Sequence, residues 1–256
     1  MRIIDTHVHL SDIEDLDRVL SRAKQVGISA ILAVGTNIET SSRALDIAEK
    51  NLEYVYPAIG IHPSEFYKEN LDAAYAFISN KAASCTAIGE IGLDYWVKPI
   101  RKNKTLREQQ QEVFKRQLEL AKEFKKPVSI HSRGAWRDCL DLVTPYELSM
   151  VIFHWYSGPL DVLKDILDQG FYVSCTPALN GSPELRSAMD KAPLDRILVE
   201  TDSPVYIRGE GRASEPADAT LTVKELAYLK GLPLEDVAKA TTLNALKVFD
   251  IRTGLI

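Results

Sequence analysis

The sequence predicts an α/β fold, a single closed (β/α)8 TIM barrel over residues 1–256, on three observations. Short β-rich runs alternate with longer amphipathic stretches from one end of the chain to the other. Eight such runs can be counted, and 256 residues suit eight strand–helix units. The first run ends in "HVHLSD", without the glycine-rich phosphate loop that follows the first strand of an open doubly wound sheet. Strict alternation makes the strands parallel and the helices their crossovers. No repeat, low-complexity tract or Pro/Gly linker divides the chain. One domain is therefore expected, with its site at the C-terminal mouth of the strands.

The expected strands are residues 2–9, 30–35, 54–62, 86–91, 127–131, 150–154, 171–175 and 196–201. The segments between them carry apolar residues at helical spacing. "DIEDLDRVLSRAKQVG" (12–27) ends at Gly27, a C-cap residue. "TLREQQQEVFKRQLELAKEFKK" (105–126) places Val113, Leu118, Leu120, Ala121 and Phe124 on one stripe. "LKGLPLEDVAKATTLNALKVF" (229–249) reads as one helix closing at Gly231 and another starting after Pro233.

Composition narrows the class. A hydrophobic content of 45% is ordinary for a globular protein, and no apolar run approaches the roughly 18 residues of a membrane helix. The three cysteines, Cys85, Cys139 and Cys175, form no CxxC pair, which speaks against a disulfide framework or a zinc knuckle. The first strand begins within the opening few residues, leaving no room for a signal peptide. A cytoplasmic protein with no membrane partner is expected. The net charge of −5 advertises no general affinity for polyanions, so such a substrate needs a local basic region. Nothing in the sequence specifies an oligomeric state.

The chemistry begins in "IIDTHVHL" (3–10). Residues two apart on a strand share a face, so Asp5, His7 and His9 are expected to project together. All five histidines, His7, His9, His62, His131 and His154, fall near the ends of expected strands, where a parallel barrel builds its active site. Carboxylates join them: Glu90 in "AIGEIGLDY", with Ile88 on its face, and Glu200 and Asp202 in "LVETDSP", with Leu198 on theirs. A charge among inward-facing apolar residues has to be paired or bind a cation. Imidazoles and carboxylates converging on one mouth suit one or two divalent ions. His62, in "GIHPSE", is open between ligand, orienting partner and phosphate contact, and Glu200 between orienting partner and ligand.

In order along the chain, "DTHVHL", "GIHP", "GEIGLDY", "IHSR", H-x-x-S-G at 154–158 and "ETDSP", with "TTLNALKVF" near the end, resemble the TatD family of metal-dependent deoxyribonucleases, among the amidohydrolase-like barrels. The likeness runs over about residues 1–250, and the ordered set is far more specific than any single motif. It implies a two-metal phosphodiester hydrolase of DNA, exonucleolytic in action. His7, His9 and Asp202 would hold one ion, Glu90 would bridge, and His131 and His154 would hold the other, with Asp202 as general base. One stretch departs from the family's "FHSFSG": here it reads "FHWYSG" (153–158), which keeps the histidine and the Ser-Gly and alters the wall beside them. Imidazole-rich ligation favours Zn, Mn, Co or Fe over Mg, whereas the resemblance points to Mg or Mn.

A DNA substrate calls for cations at the mouth. "KPIRKNKTLR" supplies Lys98, Arg101, Lys102, Lys104 and Arg107, and Arg133, Arg208 and Arg212 follow other strand ends. Tyr95, Trp96, Trp136, Trp155 and Tyr156 lie in the same loops as candidate stacking surfaces for bases. Three rival readings use the same centre. One is an amidohydrolase acting on a small cyclic amide, lactone or ester, although strand four offers Glu90 where many such enzymes carry a metal-bridging lysine. Another is ester hydrolysis on charged transfer RNA. The third is a metal-binding protein without turnover.

Overall fold

The computed structural model describes residues 1–207 and 210–251, and Arg208 lies outside them. Eight strands, β1 (Ile3–Val8), β2 (Ile28–Val34), β3 (Val55–Ile59), β4 (Ala87–Gly92), β5 (Val128–His131), β6 (Val151–Phe153), β7 (Tyr172–Cys175) and β8 (Ile197–Val199), form one sheet in chain order. Neighbouring strands pair in parallel, and a bridge between Val8 and Ser203 joins the chain just past β8 back to β1. The crossovers are α1 (Leu16–Gln25), α2 (Ile38–Lys50), α3 (Leu71–Lys81), α4 (Lys98–Arg101) with α5 (Lys104–Glu123), α6 (Trp136–Val143), α7 (Leu160–Asp168) and α8 (Pro183–Lys191). This is the predicted (β/α)8 barrel. Beyond β8 come a short hairpin, β9 (Tyr206–Ile207) and β10 (Arg212–Ala213), then α9 (Ala219–Lys230) and α10 (Leu234–Phe249). Among the described residues no helix is long and apolar enough to cross a membrane.

Two packing layers follow from strand alternation. Ile4, Leu32, Ala58, Ala87, Ile152 and Leu198 come from six different strands yet form one cluster, which only the barrel interior permits. Their neighbours Ile31, Ile59, Ile88, Phe153 and Val199 face outward and pack with the helices. The interior cluster also contains Ala245, Val248 and Phe249 of α10. Hydrogen bonds from Thr242 to the Arg2 carbonyl (2.9 Å) and from Asn244 to the Leu194 and Ile197 carbonyls (2.9 and 2.8 Å) fix α10 across the N-terminal end of the barrel. One end is thereby sealed and the other left open.

Two extra residues reset the pattern near the open end. Asp5 stands opposite Ile31 but Val8 opposite Ala33, so β1 spends three steps where β2 spends two. Asp5 consequently shares the outer face with Ile31 and accepts hydrogen bonds from the Thr201 N–H (2.9 Å) and hydroxyl (2.6 Å). The expectation that Asp5 projects with His7 and His9 is corrected: only the two histidines, beyond the bulge, turn inward. In β4 a similar shift falls between Ile88 and Ile91, which places Ile88 outside and Glu90 inside rather than together. In β8 plain alternation suffices, and Glu200 follows Leu198 to the interior side.

β3 ends three residues earlier than expected. It stops at Ile59 and leaves His62 in a loop, because the next backbone groups find partners outside the sheet. The Ile61 N–H bonds Gln117 Oε1 (2.7 Å), and the His62 N–H bonds the Thr36 carbonyl (2.8 Å). Gln117 and Gln110 are buried on the same face of α5 as its apolar stripe. Gln117 also donates to the Ile61 carbonyl (3.1 Å), while Gln110 accepts from the Asp94 N–H (3.0 Å) and donates to the Pro63 carbonyl (2.7 Å). α5 thus pins the loops after β3 and β4. α9 ends with Gly231 at φ +63°, the left-handed C-cap that the sequence leads one to expect.

Candidate metal centre

Six side chains meet at the open end around one carboxylate. Glu90 is 3% exposed and divides its oxygens. Oε2 lies 3.3 Å from His7 Nε2 and 3.6 Å from His9 Nε2. Oε1 lies 2.6 Å from His131 Nδ1, 3.1 Å from His154 Nε2 and 3.4 Å from His62 Nε2. Asp202 Oδ1 completes the first side, 3.6 Å from His7 Nε2 and 3.3 Å from His9 Nε2. Among the described residues, donor atoms close enough to hold an ion occur in three overlapping groups: His7 with His9 and Asp202, His7 with Glu90 and His154, and His62 with Glu90 and His131. The structure places Asp202 at φ +51°, a left-handed conformation that Asp tolerates and that turns its carboxylate toward the histidines. Gly92 (φ +136°) lets β4 run against His131, since a Cβ there would stand 2.1 Å from the His131 carbonyl oxygen.

The ring nitrogens facing away from the centre decide what faces into it. His9 Nδ1 lies 3.1 Å from the Val34 carbonyl, His131 Nε2 2.9 Å from Asp94 Oδ2, and His154 Nδ1 3.1 Å from Glu200 Oε1. Each partner only accepts, so each of these rings carries its outer proton as donor, and its inner nitrogen offers a lone pair when the ring is neutral. His7 Nδ1 has Ser129 Oγ at 3.3 Å, and its Nε2 is buried without any hydrogen-bond partner. A buried, unpartnered imidazole nitrogen 3.3 Å from a carboxylate fits a cation bound between them. His62 is wired the other way. The Ser64 backbone N–H donates to its Nδ1 (3.0 Å) and the Ser64 hydroxyl stands 2.7 Å from the same nitrogen. With Nδ1 accepting from the N–H, the neutral ring carries its proton on Nε2 and presents a donor to the centre.

Charge balance makes the same demand. Burial opposes ionisation of Glu90, but His62, His154 and His7 hold it well below the usual carboxylate range. Asp202 is likewise lowered against burial, chiefly through His9. Burial would lower His9 as well, yet Asp202 and Glu90 raise it to about 9. His7 and His62 are lowered, mainly by burial. Two ionised carboxylates in a buried mouth need positive charge. Imidazolium protons supply it here, and divalent ions displace such protons on binding.

Asp94 is the residue that sequence reasoning missed. It is fully buried, bonds His131 on one side and accepts from Arg133 Nε and Nη2 (2.9 and 2.7 Å) on the other. Burial opposes its ionisation, and His131 and Arg133 still bring it down to about 2. Its signal was available: it stands in "GEIGLDY", four residues past Glu90 at the same strand end. Glu200 touches His154 and the Trp155 N–H (2.9 Å), and not the other ligating atoms.

The mouth opens into a cavity of about 1060 Å³ walled by Trp96, Arg133, Trp136 and Trp155. Gly158 lets the Trp136 ring come close, since a Cβ there would stand 2.6 Å from it. Two of the five expected stacking aromatics do not serve. Tyr156 is fully buried with its hydroxyl on the Pro159 carbonyl (2.7 Å), and Tyr95 is 9% exposed with its hydroxyl on Asp138 (2.6 Å). Among the cations, Arg212 is engaged by Asp218, Lys104 by Glu108 (3.6 Å), and Arg107 lies over the Tyr95 ring. The exposed side chains of Arg101 and Lys102 have no partner among the described residues. Arg208 lies outside them.

The family model described as "TatD related DNase" matches residues 4–250. The chain is 31% identical to the Homo sapiens deoxyribonuclease TATDN3, over 96% of this chain and 94% of that protein. It is 32% identical to the 3'-5' ssDNA/RNA exonuclease TatD of Erwinia tasmaniensis, over 93% of this chain and 95% of that one. A solved structure of a TatD homologue from Escherichia coli K12 superposes with a TM-score of 0.88 at 28% identity, covering 98% of this chain and 99% of that one. With this match over nearly its whole length, the chain belongs to the TatD related DNase family.

Proposed function

We propose that this single-domain barrel is a divalent-metal-dependent hydrolase that cleaves phosphodiester bonds of single-stranded DNA from an end. The observation that carries the reading is the shared carboxylate: Glu90 turns one oxygen to His7 and His9 and the other to His131 and His154. In this reading His7, His9 and Asp202 would hold one ion, His131 and His154 would hold a second, and Glu90 would serve both. Mg, Mn, Zn and Co are the candidates. Two such ions would supply Lewis acidity toward a water and toward the phosphoryl oxygens. The chain's own residues do the rest. Asp202, 3.3 Å from His9 Nε2, takes the proton of the attacking water in this reading. His62 Nε2–H donates to a phosphoryl oxygen, and Glu200 and Asp94 orient His154 and His131. Arg101 and Lys102 attract the flanking phosphates, with Arg133 beside the centre. A cytoplasmic location goes with this reading, since Cys85, Cys139 and Cys175 are free and buried.

The test is cleavage of end-labelled single-stranded DNA by metal-stripped protein with Mg, Mn, Zn or Co restored, wild type beside Glu90→Ala. Metal-dependent shortening of the strand that disappears in Glu90→Ala is the expected result. Bound metal with no cleavage by any ion would turn attention to cyclic amides and esters.

A further inference from the structure

A second cavity, of about 720 Å³, lies beside the metal centre between the loop after β7, the segment after β8 and α9. Its volume falls within the roughly 300–1,000 Å³ of small-ligand sites. It shares Trp155, Ala178, Ser182 and Val205 with the cavity over the metal centre. Trp155 is the partition between the two. Its backbone is left-handed (φ +42°), rare for a bulky residue, and its N–H is held by both Glu200 Oε1 and Ser174 Oγ at 2.9 Å. The same Glu200 oxygen bonds His154, so the indole is positioned by the group that orients a candidate ligand.

The chamber differs in chemistry from the rest of the mouth. Asn180 offers an amide, the Thr176 and Ser182 hydroxyls are held as caps by the Ala178 and Leu185 N–H groups (3.3 and 3.2 Å), and Lys224 lines the same wall as Glu210 and Glu225. Two carboxylates against one ammonium disfavour a phosphate, whereas an indole with neutral polar groups suits a base and its sugar. The partner-free Arg101 and Lys102 follow β4, four strands from β8 in a ring of eight, and so stand on the opposite side. A strand laid across the mouth has phosphates over the β4 loop, a phosphodiester at the metal centre, and one more nucleoside in the chamber. The carboxylates repel any phosphate beyond it.

We propose that this chamber is the subsite for the terminal nucleoside of a single strand, its base against Trp155. The proposal rests on the phosphodiesterase reading above and adds where the chain end sits. Gly181 provides the test. It lines the chamber at φ −122°, and no atom lies within 4 Å of the place of a Cβ, so Gly181→Phe adds a ring at the chamber wall without backbone strain. An internally labelled, phosphorothioate-linked decamer is titrated with Mn-loaded wild type and Gly181→Phe, either intact or lacking its base at one end, at the other, or internally. Hydrolysis of methyl 4-nitrophenyl phosphate is followed alongside. Loss of the base at one end should weaken wild-type binding about tenfold. Internal loss should matter far less, and Gly181→Phe should bind all forms alike while hydrolysing the small diester within about twofold of wild type. Wild-type indifference to the terminal base, or undiminished discrimination by Gly181→Phe, would overturn the chamber. Terminal-base discrimination without any diester hydrolysis would leave the chamber standing and remove the hydrolase reading instead.

Discussion

All five imidazoles at the mouth turn an outer nitrogen to a carbonyl, carboxylate or hydroxyl, and His62 alone also receives a backbone N–H there. That difference separates ligand from donor, and it is measurable. His7→Ala should lose at least one equivalent of tightly bound metal by elemental analysis. His62→Ala should keep the wild-type metal content while kcat/KM for DNA falls about 10–100-fold. Equal metal loss in both variants would sink the distinction. Asp94 makes a second case at this scale, because it fixes the His131 tautomer without facing the centre. Asp94→Asn should weaken metal binding by about 10–100-fold in a titration, with circular dichroism unchanged.

Elements were legible where their signal is periodic. Parallel strands buried on both faces read as nearly continuous apolar runs, which is why all eight were found and only their ends moved. The turn at Gly231 and the helix after Pro233 announced themselves by residue type. The bulges in β1 and β4 did not, because one inserted residue reverses parity without changing composition, and Asp5 looked the same on either face. The candidate site was largely legible as strand-end histidines and acids. Its supports were not, since a glutamine on an amphipathic helix reads as surface. Gln117 is the clearest instance: fully buried, it satisfies both backbone groups of Ile61 and so holds the loop carrying His62. Gln117→Leu would leave an N–H and a carbonyl buried without partners, at a cost of about 2–4 kcal/mol. Urea denaturation should show this as a lower midpoint at unchanged slope. A midpoint within error of wild type would mean that the loop finds other partners.

Across the whole molecule, a net charge of −5 must be reconciled with a polyanionic substrate. The molecule as a whole repels DNA, so approach has to depend on a local field. Most cations near the mouth are already engaged: Arg133 by Asp94, Arg212 by Asp218 and Lys104 by Glu108. The exposed Lys98, Arg101 and Lys102 after β4 remain, on the far side of the ring from the acidic rim at Glu210 and Glu225. This asymmetry predicts a salt effect of defined size. Each phosphate contact on a single strand contributes about 0.7 to the slope of log affinity against log salt. Arg101→Glu with Lys102→Glu should therefore flatten the slope of log(1/KM) by about 1.4. The same double variant should raise KM at low salt and leave the rate on an uncharged-tail diester, such as methyl 4-nitrophenyl phosphate, unchanged. A wild-type slope that survives the double reversal would place the phosphate contacts on another face, and the course of the strand across the mouth would have to be redrawn.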